Sequence, residues 1–384
     1  MIPPSSPRSR ADLVRPWSAS TSPTSPSRTA WPSAAGNTPT PHHFTAGFSR
    51  RRIILRRRWC AKWLREIHFS LNRLRSRHLP TKIDTMTQPF TGLLAYPITP
   101  LVNDDELDLA SLAHLVRNVS FAGVSGVTVL ATSGAGVTFD RGERQAVVQT
   151  AVESAVLVGT SEGLRESAMP VYAAVSAPST REVVRLAQDA ERAGAAGVLL
   201  APFSYLPLSD KEVRALFLTV SEATALPICF YNKPAQTHYD VSPATLAYLA
   251  AHTHVRAVKD TMRRENVAGR VGELRDAVGP DFSIGLSADV QLLAQLPDVD
   301  AWHTGLAGLL PGEYIKVWRL AQAGELQGDS LTRLQGIAHA LAATPHPIGA
   351  LHALSNIIGV QTAPPRGPFA AATMEETWKI SAAV

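Results

Sequence analysis

Two side chains in this sequence have the types and spacing for covalent work on a carbonyl compound. Lys259 ends the apolar run Val255-Arg256-Ala257-Val258-Lys259, and Tyr231 ends Leu226-Pro227-Ile228-Cys229-Phe230-Tyr231. They stand 28 residues apart, about one strand–helix–strand unit, with residues 242–251 reading as the helix between them. Adjacent parallel strands would bring the phenol and the amine to one edge of the sheet. An amine at the end of an apolar strand is poorly solvated. Burial disfavours its charged form, lowers its pKa towards neutrality and frees the lone pair for attack on a ketone. A neighbouring phenol can move protons onto and off the carbinolamine and the substrate carbon. Taken singly, each has a plainer use: a lysine that snorkels to solvent, or a core tyrosine with a satisfied hydroxyl. The pair points to imine chemistry.

The elements that must position them follow from hydrophobic periodicity. From Met86 onward, apolar runs predict strands at 92–97, 126–130, 170–175, 197–201, 227–231, 255–259, 282–286 and 301–304. Amphipathic segments predict helices at 107–122, 141–156, 180–193, 210–223, 242–251 and 312–323, with Ala- and Leu-rich helices continuing to residue 358. Short strands alternating with helices eight times are the pattern of a (β/α)8 barrel. The expected fold is α/β: a (β/α)8 TIM barrel over residues 86–310, with an appended C-terminal helical layer over 311–384. An open doubly wound sheet would usually carry a Gly-rich phosphate turn after its first strand. Here that strand ends in Tyr96-Pro97-Ile98-Thr99-Pro100, without glycine.

In such a barrel the reactive groups lie at the C-terminal ends of the strands. The first strand delivers Tyr96 and Thr99; the second, Ala131-Thr132-Ser133-Gly134; the fourth, Pro202-Phe203-Ser204-Tyr205; the seventh, Ser287 and Asp289; the eighth, His303. Thr132, Ser133 and Gly134 offer two hydroxyls and backbone N–H groups that can hold a carboxylate. The same stretch is an ordinary turn if read alone. His303 follows an aromatic residue and reads as packed rather than as a ligand. No Gly-x-Ser-x-Gly elbow surrounds Ser133, which excludes the hydrolase reading. No His, Asp or Glu cluster has metal spacing.

At these residues the chain resembles the dihydrodipicolinate synthase / N-acetylneuraminate lyase family of Schiff-base class I aldolases. Ala131-Thr132-Ser133-Gly134 resembles the family's Gly-Thr-Thr-Gly turn. Pro97-Ile98-Thr99-Pro100 resembles its opening Thr-Pro segment. Tyr231-Asn232-Lys233-Pro234, followed by Lys259-Asp260-Thr261, resembles its signature. The resemblance runs from about Phe90 to Pro368. It implies Lys259 as imine former, Tyr231 as proton relay with Thr132, and Ser133 and Gly134 as contacts for the substrate carboxylate. Thr99, Gln236 and Ser287 complete the expected substrate-binding set. It also implies a homotetramer built as a dimer of dimers, and no metal or organic cofactor. Four positions depart from the synthase. Gln236 replaces the arginine that binds the second substrate's carboxylate, and a neutral amide cannot make the bidentate charged pair. Phe203-Ser204 replace paired tyrosines, one of which a neighbouring subunit lends to the relay. Ala135 replaces a glutamate.

These departures favour a lyase or aldolase acting on pyruvate or another 2-oxo acid. It would perform retro-aldol cleavage or dehydration of a substrate of the 2-keto-3-deoxy sugar acid type. The alternatives are 4-hydroxy-tetrahydrodipicolinate synthase itself and an eroded barrel serving as a binding module.

The remaining 85 residues have a different character. Residues 1–85 carry 16 of the 37 basic residues and three of the 32 acidic ones, so the net charge of +5 averages a basic leader and an acidic remainder. Rich in Ser, Pro, Thr and Arg, the leader is expected to be disordered. It reads as a transit peptide, as a basic arm, or as upstream sequence translated ahead of a true start at Met86. Cytoplasmic location is expected, or an organelle such as the mitochondrion if the leader is a transit signal. The charge excess belongs to the leader, so no nucleic-acid partner is inferred from it. No apolar run reaches membrane-spanning length. Cys60 and Cys229 offer no disulfide framework. Residues 156–169 read as a surface insertion or a lid.

Overall fold

The computed structural model describes residues 88–103, 105–155, 168–261 and 266–384, all within one compact unit, Ile83–Val384. The basic leader and nearly all of the 156–169 insertion lie outside the described residues. Eight parallel strands close into a barrel: β1 (Gly92–Ala95), β2 (Gly126–Val129), β3 (Val171–Ala174), β4 (Gly197–Leu200), β5 (Ile228–Asn232), β6 (Val255–Thr261), β7 (Ser283–Ser287) and β8 (Ala301–Thr304). Each pairs with the next in sequence, and β8 pairs with β1. The helices α1 (Leu109–Ala122), α2 (Arg141–Ser154), α3 (Thr180–Arg192), α4 (Asp210–Ala223), α5 (Pro243–His252), α6 (Val267–Val278), α7 (Asp289–Ala294) and α8 (Pro311–Gln322) follow the strands. Three more, α9 (Asp329–Ala342), α10 (Pro347–Ile357) and α11 (Met374–Ala383), form the C-terminal layer. The TIM barrel read from periodicity is the fold observed.

The differences have local causes. The first helix begins at Leu109 because Asp108 caps it: the Asp108 carboxylate accepts from the Ser111 N–H at 2.9 Å. Capping boxes at Asp140–Glu143 and Ser209–Glu212 fix the starts of α2 and α4. The apolar runs and amphipathic segments did not individually mark a two-stranded hairpin, Leu101–Val102 with Glu106–Leu107, a single helical turn, Pro234–Thr237, or the helices α6, α7 and α11.

The barrel interior is packed at its N-terminal end. Phe90 is fully buried and stacks on Tyr172 with ring centroids 3.9 Å apart. The Tyr172 hydroxyl accepts from the Phe90 N–H at 3.1 Å, and Ser283 Oγ donates to the Phe90 carbonyl at 2.7 Å. Burying one such aromatic side chain contributes about 2–3 kcal/mol. The closed end leaves the opposite, C-terminal end for a site.

At that end β5 and β6 run past the residues expected to terminate them, to Asn232 and Thr261, in the register Tyr231 opposite Lys259 and Asn232 opposite Asp260. A buried polar network holds the two ends together. The Asn232 amide donates to Asp260 and to Asp240, both at 2.8 Å, and its oxygen accepts from the Val241 N–H at 3.1 Å. Arg270 pairs with Asp260 at 3.2 Å and donates to the Val241 carbonyl at 2.7 Å. Thr261 Oγ1 closes the network on the Asn232 carbonyl at 2.8 Å. A buried carboxylate requires this degree of satisfaction. Replacing Asn232 with alanine removes a partner from Asp260, Asp240 and the Val241 amide together. N232A is expected to destabilise the fold by about 3 kcal/mol or more, read as a lower urea midpoint with an unchanged slope.

Candidate active site

Lys259 lies inside the barrel, 5% exposed, within an aromatic cage. Its Nζ is 3.8 Å from the Tyr96 ring centroid and 4.2 Å from that of Tyr231. Burial is the main cause that brings its pKa down from the usual lysine value to about 7, against smaller opposing contributions from Cys229 and Asp289. The aromatic faces attract a cation but cannot replace a hydration shell, so desolvation wins.

The groups around the amine are themselves dry. Tyr96 is buried, its ionisation pushed well up by desolvation, and its hydroxyl lies 2.6 Å from His303 Nδ1. Burial, reinforced by the nearby Lys259, holds His303 well below its usual pKa and therefore neutral. Gly285 makes room for this imidazole, because a Cβ there would lie 2.1 Å from His303 Nε2. Asp289 accepts from the Trp302 indole at 3.1 Å and the Thr304 hydroxyl at 3.0 Å. Desolvation raises its pKa to about 6 despite those bonds. Cys229 shares the strand face of Tyr231, is fully buried, and has its thiol pKa pushed up by desolvation.

The loop after β2 approaches from the other side. Thr132 Oγ1 lies 3.5 Å from the Tyr231 hydroxyl and accepts from Lys233 Nζ at 3.2 Å. Ser133 Oγ donates to the Tyr96 carbonyl at 2.7 Å, and Thr99 Oγ1 donates to the Gly134 carbonyl at 2.8 Å. A Cβ at Gly134 would come within 3.2 Å of both Pro97 O and Thr99 Oγ1, so glycine lets the loop close on the first strand. Ser287 Oγ donates to the Asp260 carbonyl at 3.4 Å.

A cavity of about 580 Å³ opens above these groups, with Thr132, Tyr231, Lys233 and Gln236 in its wall. The C-terminal layer supplies the facing wall through residues 345–349 and 368–370. Arg144 also lines it, but its guanidinium donates to the Ala174 and Ser176 carbonyls at 2.8 and 3.2 Å. Desolvation lowers the Arg144 pKa to about 10. Among the described residues, no Asp or Glu lines this cavity.

The residues expected from the sequence divide accordingly. Lys259, Tyr231 and Thr132 come together around the amine. Gln236 reaches the cavity wall, and Ser133, Gly134, Thr99 and Ser287 shape the loops beside it. Sequence reasoning undervalued Tyr96, His303 and Asp289, which sit at strand ends but carry no motif. It missed the cavity role of Lys233 and of the C-terminal segments. The position of Lys233 inside the Tyr-Asn-x-Pro turn was the available signal.

Residues 89–384 match the model of the Dihydrodipicolinate synthetase family. The 4-hydroxy-tetrahydrodipicolinate synthase of Chelativorans sp. is 30% identical over 283 residues, covering 70% of this chain and 88% of that protein. A probable mitochondrial 4-hydroxy-2-oxoglutarate aldolase of Emericella nidulans is 27% identical over 243 residues, 62% of this chain and 75% of that protein. The crystal structure of dihydrodipicolinate synthase from Agrobacterium tumefaciens aligns with a TM-score of 0.68 at 31% identity, covering 77% of this chain and 97% of that one. A match that spans the barrel and the C-terminal layer alike makes this chain a member of the dihydrodipicolinate synthetase family and an enzyme of its lyase and aldolase class.

Proposed function

We propose that this enzyme forms a Schiff base between Lys259 and the ketone of a 2-oxo acid, pyruvate or a longer relative, and uses it for C–C cleavage, C–C formation or loss of water. The observation that carries the reading is the buried Lys259 amine with its pKa near 7, 4.2 Å from the Tyr231 ring. A neutral lone pair attacks the carbonyl carbon to give a carbinolamine, which loses water to give an iminium. Tyr231, with Thr132, carries the protons. The substrate carboxylate rests on the Thr132–Gly134 loop, where backbone N–H groups receive it. The iminium draws electrons from the adjacent carbon, so the imine takes the place of a metal or organic cofactor in this scheme. A homotetramer is proposed for the assembly, supported by apolar side chains left at the surface, among them Tyr205 at 94% and Trp378 at 66% exposure.

Gln236 favours a cleaving or dehydrating lyase of the sugar-acid type over the synthase, because a neutral amide gives the second substrate's carboxylate no charged partner. The names of the curated relatives support the second reading, 4-hydroxy-tetrahydrodipicolinate synthase. Condensation of pyruvate with aspartate semialdehyde separates the two. The first reading expects no turnover by the wild type and a gain on Q236R; efficient wild-type turnover would establish the second.

The lysine is costly where it stands, which itself argues for chemistry. Between a folded pKa near 7 and an unfolded value of about 10.4, the unfolded chain binds a proton that the folded chain does not. The fold therefore loses stability as pH falls through that window, and the penalty is complete below about pH 7. K259M is expected to unfold at higher urea than the wild type at pH 7, by a few kcal/mol, with the difference shrinking towards pH 10. Borohydride with pyruvate or a longer 2-oxo acid should leave a reduced adduct on the Lys259 peptide of the wild type and none on K259M. An unmodified wild-type peptide across the 2-oxo-acid series refutes the imine mechanism.

A further inference from the structure

A proton path needs an outer end. Tyr231 sits beside the Lys259 amine, and its hydroxyl meets Thr132 Oγ1 at 3.5 Å. Thr132 Oγ1 in turn accepts from Lys233 Nζ at 3.2 Å. With its oxygen occupied as acceptor, the threonine has its own proton free to donate towards Tyr231. The three groups thus form a directed chain, Lys233 to Thr132 to Tyr231, that runs from the cavity wall to the buried amine. Lys233 is half-buried, its Nζ 5.8 Å from the Tyr231 ring centroid, and among the described residues no carboxylate lies within ion-pair distance of it. Its backbone is held: the Lys233 carbonyl accepts from the Gln236 and Thr237 N–H groups at 3.0 and 3.1 Å, which starts the turn Pro234–Thr237. No tyrosine from the β4 loop lines the cavity; Phe203 does, while Tyr205 stands 94% exposed.

We infer that Lys233 is the outer member of the proton relay, so that a single chain of this protein contains the whole path from solvent to the imine. This rests on the Schiff-base reading above. The proton balance closes. Lys233 in its ammonium form donates to Thr132, Thr132 donates to Tyr231, and Tyr231 donates to the departing carbinolamine hydroxyl. Water leaves, the Lys259 iminium forms, and Lys233 is left as a neutral amine. Removal of a proton from the carbon next to the iminium then runs the chain backwards. Tyr231 takes that proton, Thr132 relays, and Lys233 regains its ammonium as the enamine forms. The neutral amide of Gln236 can do neither, and the Arg144 guanidinium holds its protons and is already bonded to backbone carbonyls. Lys233 acts through Thr132 and Tyr231, without touching the reacting carbon.

The test reads the enamine step directly. Exchange of the pyruvate methyl protons for deuterium, followed by NMR, reports proton removal from the imine without any knowledge of the second substrate. Borohydride trapping on the same proteins reports imine formation. K233M is expected to trap pyruvate on Lys259 to the wild-type extent after long incubation and to slow exchange by about 10- to 100-fold, with KM little changed. K233R keeps the positive charge but holds its protons too tightly to release one to the relay, and is expected to be as slow as K233M. Wild-type exchange in K233M overturns the relay, and so does full recovery in K233R, which would mean that charge alone matters. A raised KM with unchanged maximal exchange also overturns it, by making Lys233 an anion contact. Absence of trapping in the wild type would overturn the imine reading itself, and the relay with it.

Discussion

The site depends on keeping one amine out of water. A lysine at the surface is charged and inert as a nucleophile. Lys259 is different because the barrel closes around it. The rings of Tyr96 and Tyr231, the buried thiol of Cys229 and the neutral imidazole of His303 leave nothing nearby to hydrate an ammonium. Asp289 is a carboxylic acid that acts on it, and burial raises that carboxyl as well, so it stabilises the cation only weakly. Desolvation of two opposite charges in one apolar space lets both approach neutrality near pH 7, which is where a nucleophilic amine is useful.

The rest of the fold can be understood as support for that pocket. A closed sheet is the simplest way to surround a side chain with strands while every backbone group stays paired. The parallel register sets Tyr231 opposite Lys259, and the buried Asn232–Asp260–Arg270 network one residue further on resists any slip. A slip of one residue would turn both reactive side chains away from the interior. Gly285, opposite Lys259 on the next strand, gives up a side chain so that His303 can fill the space beneath. The open end is then narrowed by the loop after β2 and by the C-terminal layer, which makes a cavity of a size suited to a small acid.

How far this was legible in the sequence depended on distance along the chain. The barrel followed from alternation of short apolar runs with amphipathic helices, each a local signal. The Tyr231–Lys259 pair followed because one strand–helix–strand unit separates them, so topology alone brings them together. Lys233 was not readable as part of the site: its hydroxyl partner is 101 residues away, and a lysine in a turn looks solvated. The Tyr96–His303 contact spans 207 residues and joins the first strand to the last, a meeting that only barrel closure produces. His303 reads as packed from sequence, and packed it is, but against the base of the reactive amine. The wall formed by residues 345–349 and 368–370 had no signal either, since capping a barrel mouth requires only shape and apolar character.

The central claim is that burial, by itself, delivers Lys259 to the substrate as a free base near neutral pH. Its most direct measurement is the rate at which a small amine reagent such as cyanate modifies Lys259 in the full-length enzyme across pH 5 to 11, read by mapping of that peptide with the other lysines as internal references. The account predicts a midpoint for Lys259 near 7. A Lys259 midpoint at the ordinary lysine value of about 10.4 would contradict it.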